Sequence, residues 1–522
     1  MAASLIHTLT ADPPILVCSS LLLCSLAALL FTYARARRPA RGSLPPSPWR
    51  LPLIGNLHQL MAVADEGLQA LSKKYGPILL MHLGSFPVCV ISSGELARKI
   101  TNTHDAVFSD RASTKASRIL FSGENDLLFA PENKFWRLSR KLCVSALLSP
   151  TNVQALFYVR DEEVAKLVKL IRANGSVKAI DLSDLLLKLA SSIVSRAVLG
   201  QTKVSGSAED DNEVKGKLAI KVAHMISDLF SFEDFIPALS WVDHLTGLNR
   251  RLKKTAQEVH AFLDQVIDEH ERNQSADDGP DKNDRKCFVN IMLEFQRKGM
   301  IGLDNLTRSD IRAIVLDMVL AGVGTTAAAL EWTMAELAKN PSIMQKVQEE
   351  VRRVVGGKSK IQESDISQMK YLKCVIKEEL RIHGPTIVGR KSTSSITIGG
   401  FKLPAGVSTW INLWVIHRDP AAWDRPFEFI PERFLDARYN YKGQDHVYFP
   451  FGLGRRICPG MEFAMAEVEY GVANLLCWFD WELPDGMRAE ELDMRGSTSE
   501  PSYKIIPLRL VPVPVSKPAS CS

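Results

Sequence analysis

Residues 450–460 read PFGLGRRICPG. Gly452, Gly454 and Gly460 allow the backbone to turn sharply and approach a flat ligand closely, and Arg456 offers a fork for a carboxylate. Cys458 precedes an apolar helical run starting near Met461, and a helix N-terminus favours thiolate over thiol. No histidine or second cysteine stands close enough to complete a zinc site. An isolated cysteine is ordinarily a small buried hydrophobe. A single strong thiolate donor also suits a haem iron, with the fifth ligand from protein and the sixth position open.

A second candidate lies on the long helix expected between Thr307 and Asn340, opened by a capping box of Thr307 and Asp310 and stopped by Pro341. Its middle, LDMVLAGVGTTAAALEW, is almost wholly apolar and belongs in a core. Gly322, Gly324, Thr325 and Thr326 interrupt it. Glycine costs about 1 kcal/mol against alanine there, and threonine hydroxyls bond back to the helix. Two readings stand side by side: a tight helix crossing, or an opening that admits a ligand beside Thr325. Glu378 and Arg381, three apart on a helix, alone amount to a surface ion pair worth a few tenths of a kcal/mol, roughly.

The loop fits the pattern F-x-x-G-x-R-x-C-x-G at Phe451, Gly454, Arg456, Cys458 and Gly460. In this it resembles the haem-binding signature of the cytochromes P450. The chain is similar to the plant microsomal (A-type) members in its proline-rich spacer, FSDR at 108–111 and the run from RDP at 418 onward. The resemblance implies a mainly α single large domain with a small β region, and haem b held between the long central helix and the cysteine loop. Cys458 is then the metal ligand. Trp136 and Arg140, in FWRLSRK, look like the family's WxxxR, and Arg140, Arg390 and Arg456 resemble its propionate partners. Glu378, Arg381 and Arg433, the last in PERF, form a structural lock behind the haem.

A thiolate ligand pushes electron density onto iron and favours O–O cleavage. The implied activity is an NADPH- and O2-dependent monooxygenase drawing electrons through NADPH-cytochrome P450 reductase. Arg137, Lys141 and Arg455 are candidates to meet the reductase's acidic face. On the central helix the family's usual pattern is Ala/Gly-Gly-x-Asp/Glu-Thr-Thr, but here Ala321-Gly322-Val323-Gly324-Thr325-Thr326 keeps the threonines and lacks the acid. The expected catalytic positions are Thr325, Gly324 and Thr326. Water or a substrate hydroxyl must relay protons, or the outcome is coupling or ring rearrangement. His383-Gly384-Pro385 and Gly389 also depart from the family's wording. Competing readings are an O2-independent haem-thiolate isomerase or dehydratase, and a non-catalytic haem- or ligand-binding membrane protein. Candidate pocket segments, 117–128, 321–325, 386–388 and 499–503, suggest a small lipophilic plant metabolite: terpenoid, alkaloid or phenolic.

The rest of the chain supplies the scaffold for these residues. Hydrophobic residues at 46% and charged ones at 24% of 522 residues describe a globular protein. Sixty-four basic against 59 acidic side chains, spread without a stripe, give nucleic-acid binding no support. Nine cysteines without CxxC spacing indicate a reducing compartment. Residues 15–34 carry no charge and suit a transmembrane signal-anchor, with a lumenal tail at 1–14. Arg35, Arg37, Arg38 and Arg41 keep the downstream chain in the cytosol. A basic, proline-rich hinge spans 35–55 and the cytosolic catalytic domain 56–522, on the endoplasmic reticulum membrane. Helices are expected at 161–173, 213–229 and 252–272, polar breaks at 205–212 and 273–286, short strands at 393–413 and an extended piece at 503–515.

Overall fold

The structure, a computed structural model, describes residues 44–60, 64–121, 123, 125–173, 178–200, 231–276, 287–299, 306–435, 439–441, 446–497 and 502–515. The apolar run 15–34, the helical stretch 213–229 and the break at 205–212 lie outside these residues. The principal helices are α1 (Lys115–Leu120), α2 (Lys134–Ala146), α3 (Phe157–Ala173), α4 (Leu182–Leu199), α5 (Leu248–Ala276), α6 (Phe288–Lys298), α7 (Arg308–Lys339), α8 (Pro341–Val355), α9 (Lys370–His383) and α10 (Met461–Trp478). The strands are β1 (Ile78–Leu83), β2 (Phe86–Ile91), β3 (Ile180–Asp181), β4 (Ile387–Lys391), β5 (Ile396–Ile398), β6 (Phe401–Leu403), β7 (Ser408–Asn412), β8 (Phe479–Glu482) and β9 (Arg509–Pro514).

α7 forms because an uninterrupted apolar run is closed at both ends. Thr307 accepts from the Asp310 N–H at 3.2 Å and the Asp310 carboxylate accepts from the Thr307 N–H at 2.9 Å, while Pro341 begins α8 immediately after Asn340. The helix is continuous through its glycines. It is apolar enough to cross a membrane, yet two thirds of its most apolar stretch is buried, so that composition is the mark of a core helix. α4, α9 and α10 pack around it. A Cβ added at Gly322 would stand 3.0 Å from Val194 Cγ2 of α4, so glycine permits this close crossing.

α5 runs to Ala276, past the break expected at Asn273. Polar residues alone do not stop a helix, and the chain has no glycine or proline there before Gly279. The strands expected at 393–413 are present as β5, β6 and β7, the first two joined through Gly399 and Gly400, both at positive φ. β9 occupies the extended piece near the C-terminus, between β3 and β8.

The hairpin β1–β2 did not stand out in the sequence. It forms the edge of a four-stranded sheet ordered β1-β2-β7-β4, with β2 parallel to β7. Both faces of the hairpin are largely covered, so its residues are apolar almost continuously and the alternation that marks a half-buried strand is absent. The end of the proline spacer is fastened to this hairpin. Pro46 accepts from the Leu80 N–H at 2.9 Å. The fully buried Asn56 accepts from the His82 N–H at 2.8 Å and donates to Trp49 at 3.0 Å.

Candidate active site

The Cys458 loop is a backbone construction. The Cys458 N–H returns to the Phe451 carbonyl at 2.9 Å, and Ile457 N–H to Gly454 at 3.0 Å. Gly454 sits at φ +68°, and a Cβ there would lie 2.5 Å from Asp105 Oδ1 and 2.6 Å from the Thr101 carbonyl, so no larger residue fits. Gly460 differs: its φ is −87°, and a Cβ would meet Cys458 Sγ at an ordinary 3.9 Å. What Gly460 supplies is its backbone N–H, directed at the thiol.

Among the described cysteines Cys89, Cys143, Cys287, Cys374 and Cys477 are buried, and Cys458 alone is exposed. That exposure is to a space inside the fold, because the surrounding protein still pushes the thiol pKa up by desolvation. The Gly460 N–H and the Arg140 and Arg111 guanidiniums pull it down, without prevailing. The helix N-terminus thus acts in the direction expected, through the Gly460 N–H, while burial acts against it. A bound metal cation reverses that balance, since a coordinating thiol is deprotonated outright.

Four guanidiniums crowd the same region. Arg140, from α2, donates to the Ile457 carbonyl. Trp136, one turn earlier, lies under both Arg140 and Arg456, whose guanidinium is 3.9 Å from the ring centroid. Arg456 donates to the carbonyls of Ser109 (2.7 Å), Leu127 (3.2 Å) and Ala130 (2.5 Å), so most of its fork is engaged by backbone. Arg390, on β4, donates from Nη2 to Leu453 at 2.7 Å, while its Nε and Nη1 are buried without a partner. Desolvation and then the neighbouring Arg111 lower Arg390 to about 9, and the same causes in the same order lower Arg456 to about 10.

Arg111, from the FSDR stretch, completes this group and was not singled out as a site residue from sequence. Its charge acts on Cys458, Arg390 and Arg456 together. An arginine cluster with partnerless buried donors beside an open thiol calls for an anion. Haem, with two propionates and an iron that takes a thiolate, fits the donor set.

On α7 the open face is narrow. Ala321 and Thr325 are exposed amid buried neighbours, one turn apart. The Thr325 hydroxyl donates to the Ala321 carbonyl at 2.6 Å, leaving its oxygen toward the open side. Gly324 and Thr326 are buried, and the Thr326 hydroxyl has no partner. Sequence groups Thr326 with Thr325, but adjacent helical residues point about 100° apart, and only Thr325 is open. Among Gly322, Gly324, Thr325 and Thr326, Gly322 makes the tight crossing and Thr325 is the exposed position.

Glu378, Arg381 and Arg433 are brought into direct contact, and the surface-pair reading is overturned. Arg381 grips Glu378 with Nε at 2.7 Å and Nη2 at 2.8 Å, both side chains fully buried. Arg433 Nε and the Ile430 N–H reach Glu378 Oε1 at 3.1 and 2.9 Å. Arg381 also donates to the carbonyls of His417 and Pro426. Of the surface cations, Arg137 and Arg455 share Glu132, and Arg455 also pairs with Asp105 at 2.8 Å. Lys141 is exposed. Two further buried acids, Asp126 and Asp317, lie near Arg111.

This fold and this thiol loop define a class, and the cytochrome P450 family model matches residues 45–507. The chain belongs to the cytochrome P450 family: it is a plant A-type haem monooxygenase, a single domain binding haem b and receiving electrons from a reductase. It is 42% identical over 508 residues to a phenylacetaldehyde oxime monooxygenase of Prunus mume, covering 95% of this chain and 94% of that one. It is 41% identical to a psoralen synthase of Pastinaca sativa (91% and 97% covered) and 39% identical to a strychnine-11-hydroxylase of Strychnos nux-vomica (93% and 94%). A zebra fish cytochrome P450 solved with progesterone shares the fold at a TM-score of 0.72 and 24% identity, over 85% of this chain and 98% of that one.

Proposed function

We propose that this enzyme oxidises a lipophilic plant specialised metabolite with O2 and NADPH, using Cys458 as the iron ligand. The observation that carries the site is Cys458 itself, the one open thiol among the described cysteines, framed by Arg111, Arg140, Arg390 and Arg456. When bound, the haem supplies oxygen activation and electron storage. This chain's own residues do the rest. Arg390, with its unpartnered Nε and Nη1, would bond a propionate, with Arg140 and Arg456 as further partners and Trp136 as their flat support. Glu378, Arg381 and Arg433 hold the segment 417–433 rigid, and the Phe451 carbonyl and Gly460 N–H fix the thiol.

Thr325, on the open face of α7, handles the proton. With Gly324 in place of an acid, that proton arrives through water or a substrate hydroxyl, and an outcome such as coupling or ring rearrangement becomes accessible. Relatives named for oxidations of an oxime and an alkaloid, and for psoralen synthesis, support this substrate class. The donor in this proposal is NADPH-cytochrome P450 reductase, meeting the face that carries Lys141, Arg137 and Arg455. An anchor at 15–34 places the enzyme on the endoplasmic reticulum with its catalytic domain in the cytosol.

The test is product formation with NADPH, reductase and oxygen, compared with peroxide alone and with no electron source, together with the spectrum of the reduced carbon monoxide complex. Product only in the complete system, and loss of the thiolate-type spectrum in Cys458→Ala, is the expected result. Product with no electron source would overturn it in favour of an isomerase. For the relay, Gly324→Asp should change product formed per NADPH consumed; an unchanged ratio would remove any special role for Gly324.

A further inference from the structure

Asp317 stands on α7 two turns ahead of Thr325, in a stretch where an aspartate is disfavoured both by helix propensity and by burial. Its Oδ2 accepts from the Leu127 N–H at 2.5 Å. On the other side of the same residue, the Leu127 carbonyl accepts from Trp136 Nε1 at 3.0 Å and from Arg456 Nη1 at 3.2 Å. The turn itself is wound round Asp126, whose Oδ1 accepts from the N–H groups of Phe129 (2.5 Å) and Ala130 (3.3 Å). The Ala130 carbonyl then takes a second N–H of Arg456. The turn 126–130 is thus held to the central helix through the Leu127 N–H and presents the Leu127 and Ala130 carbonyls to Arg456.

We infer that Asp317 is a positioning residue that sets the height of the 126–130 turn and, through the Leu127 and Ala130 carbonyls, the placement of Arg456 and Trp136 in the haem seat. The inference rests on the proposed reading of Arg456 and Trp136 as neighbours of the propionates. It links the central helix to Arg456 by side-chain and backbone bonds alone. A buried N–H left without its acceptor loses a bond that water does not replace. Deleting the carboxylate should therefore release the turn rather than merely soften it.

The experiment uses the purified holoenzyme and reads two things: the rate of haem transfer to excess apomyoglobin, and amide hydrogen exchange across 125–133. Asp317→Ala should lose haem about tenfold faster and exchange faster across the turn. Asp317→Asn keeps an acceptor oxygen at the same reach and should stay within about twofold of wild type. Asp317→Glu keeps the carboxyl group but is one methylene longer, displaces the turn, and should behave like the alanine variant. The asparagine and glutamate variants decide the matter alone if the alanine protein does not accumulate. Unchanged haem loss and exchange in Asp317→Ala, or a normal glutamate variant beside a defective asparagine one, overturns the inference. The latter pattern would assign the role to the carboxyl group's own chemistry rather than to its reach. Arg456→Ala, run in parallel, separates the layers. If it retains haem as wild type does, the propionate reading falls and takes this inference with it. If it loses haem while Asp317→Ala does not, only the inference falls.

Discussion

Arg381 closes on Glu378 through two parallel N–H to oxygen bonds of 2.7 and 2.8 Å, neither side chain touching solvent. The pair is held in turn by Arg433, the Ile430 N–H and three carbonyls at 417, 426 and 428. Removing one partner leaves the other charge buried and unmatched, at a cost of about 3–5 kcal/mol. Glu378→Ala and Arg381→Ala should therefore each reduce folded holoenzyme severely. The double substitution should cost less than the sum of the singles. Denaturant midpoints of the haem-containing protein measure this, and additive losses would contradict it.

Arg390 should show opposite effects on two quantities. Its buried Nε and Nη1 have no partner, which costs the haem-free protein about 1–3 kcal/mol. Arg390→Met should thus raise the melting temperature of protein produced without haem. The same substitution should weaken haem retention about tenfold, since the guanidinium's unused donors are what a propionate would take. A variant that stabilises neither state, or weakens both, would count against an anion at this place.

His417 gives a pH dependence with a definite sign. Its Nε2 accepts from the Phe449 N–H at 3.2 Å, and burial, with Arg418 and Arg381 nearby, lowers its pKa from 6.5 to about 3. Its contribution to stability is full above about pH 6.5 and is lost as pH falls toward 3, because the unfolded chain takes up the proton first. The slope is about 1.4 kcal/mol per pH unit at most. His417→Gln keeps an acceptor for Phe449 without titrating. Its stability should decline less than wild type between pH 6.5 and 4.5 in parallel melting curves.

What the sequence made legible was local. The thiol loop, the capping box of α7 and the Glu378 to Arg381 spacing each lie within a few residues, where turn chemistry and helical period act directly. Arg111 was not legible as part of the site. Its companions stand at positions 140, 390 and 456, and only the sheet and α2 carry them together. Asp317 was hidden differently: within an apolar run it reads as a blemish, and its partner is a backbone N–H that no side-chain pattern announces. β1 and β2 escaped because cover on both faces removes their alternation.

The bonds that fasten Pro46 and Asn56 to the first hairpin set how far the body could stand from the proposed anchor at 15–34. With the proposed anchor ending at Ala34, the eleven residues 35–45 would separate it from Pro46, the first residue bonded to the hairpin. Fully stretched, eleven residues reach at most about 40 Å. Such an anchor would confine the domain to a thin shell above the bilayer, shared with any membrane-bound electron donor. Their encounters would be governed by effective concentration within that layer, not by bulk concentration, so lengthening residues 35–45 would dilute the pair without altering a single contact.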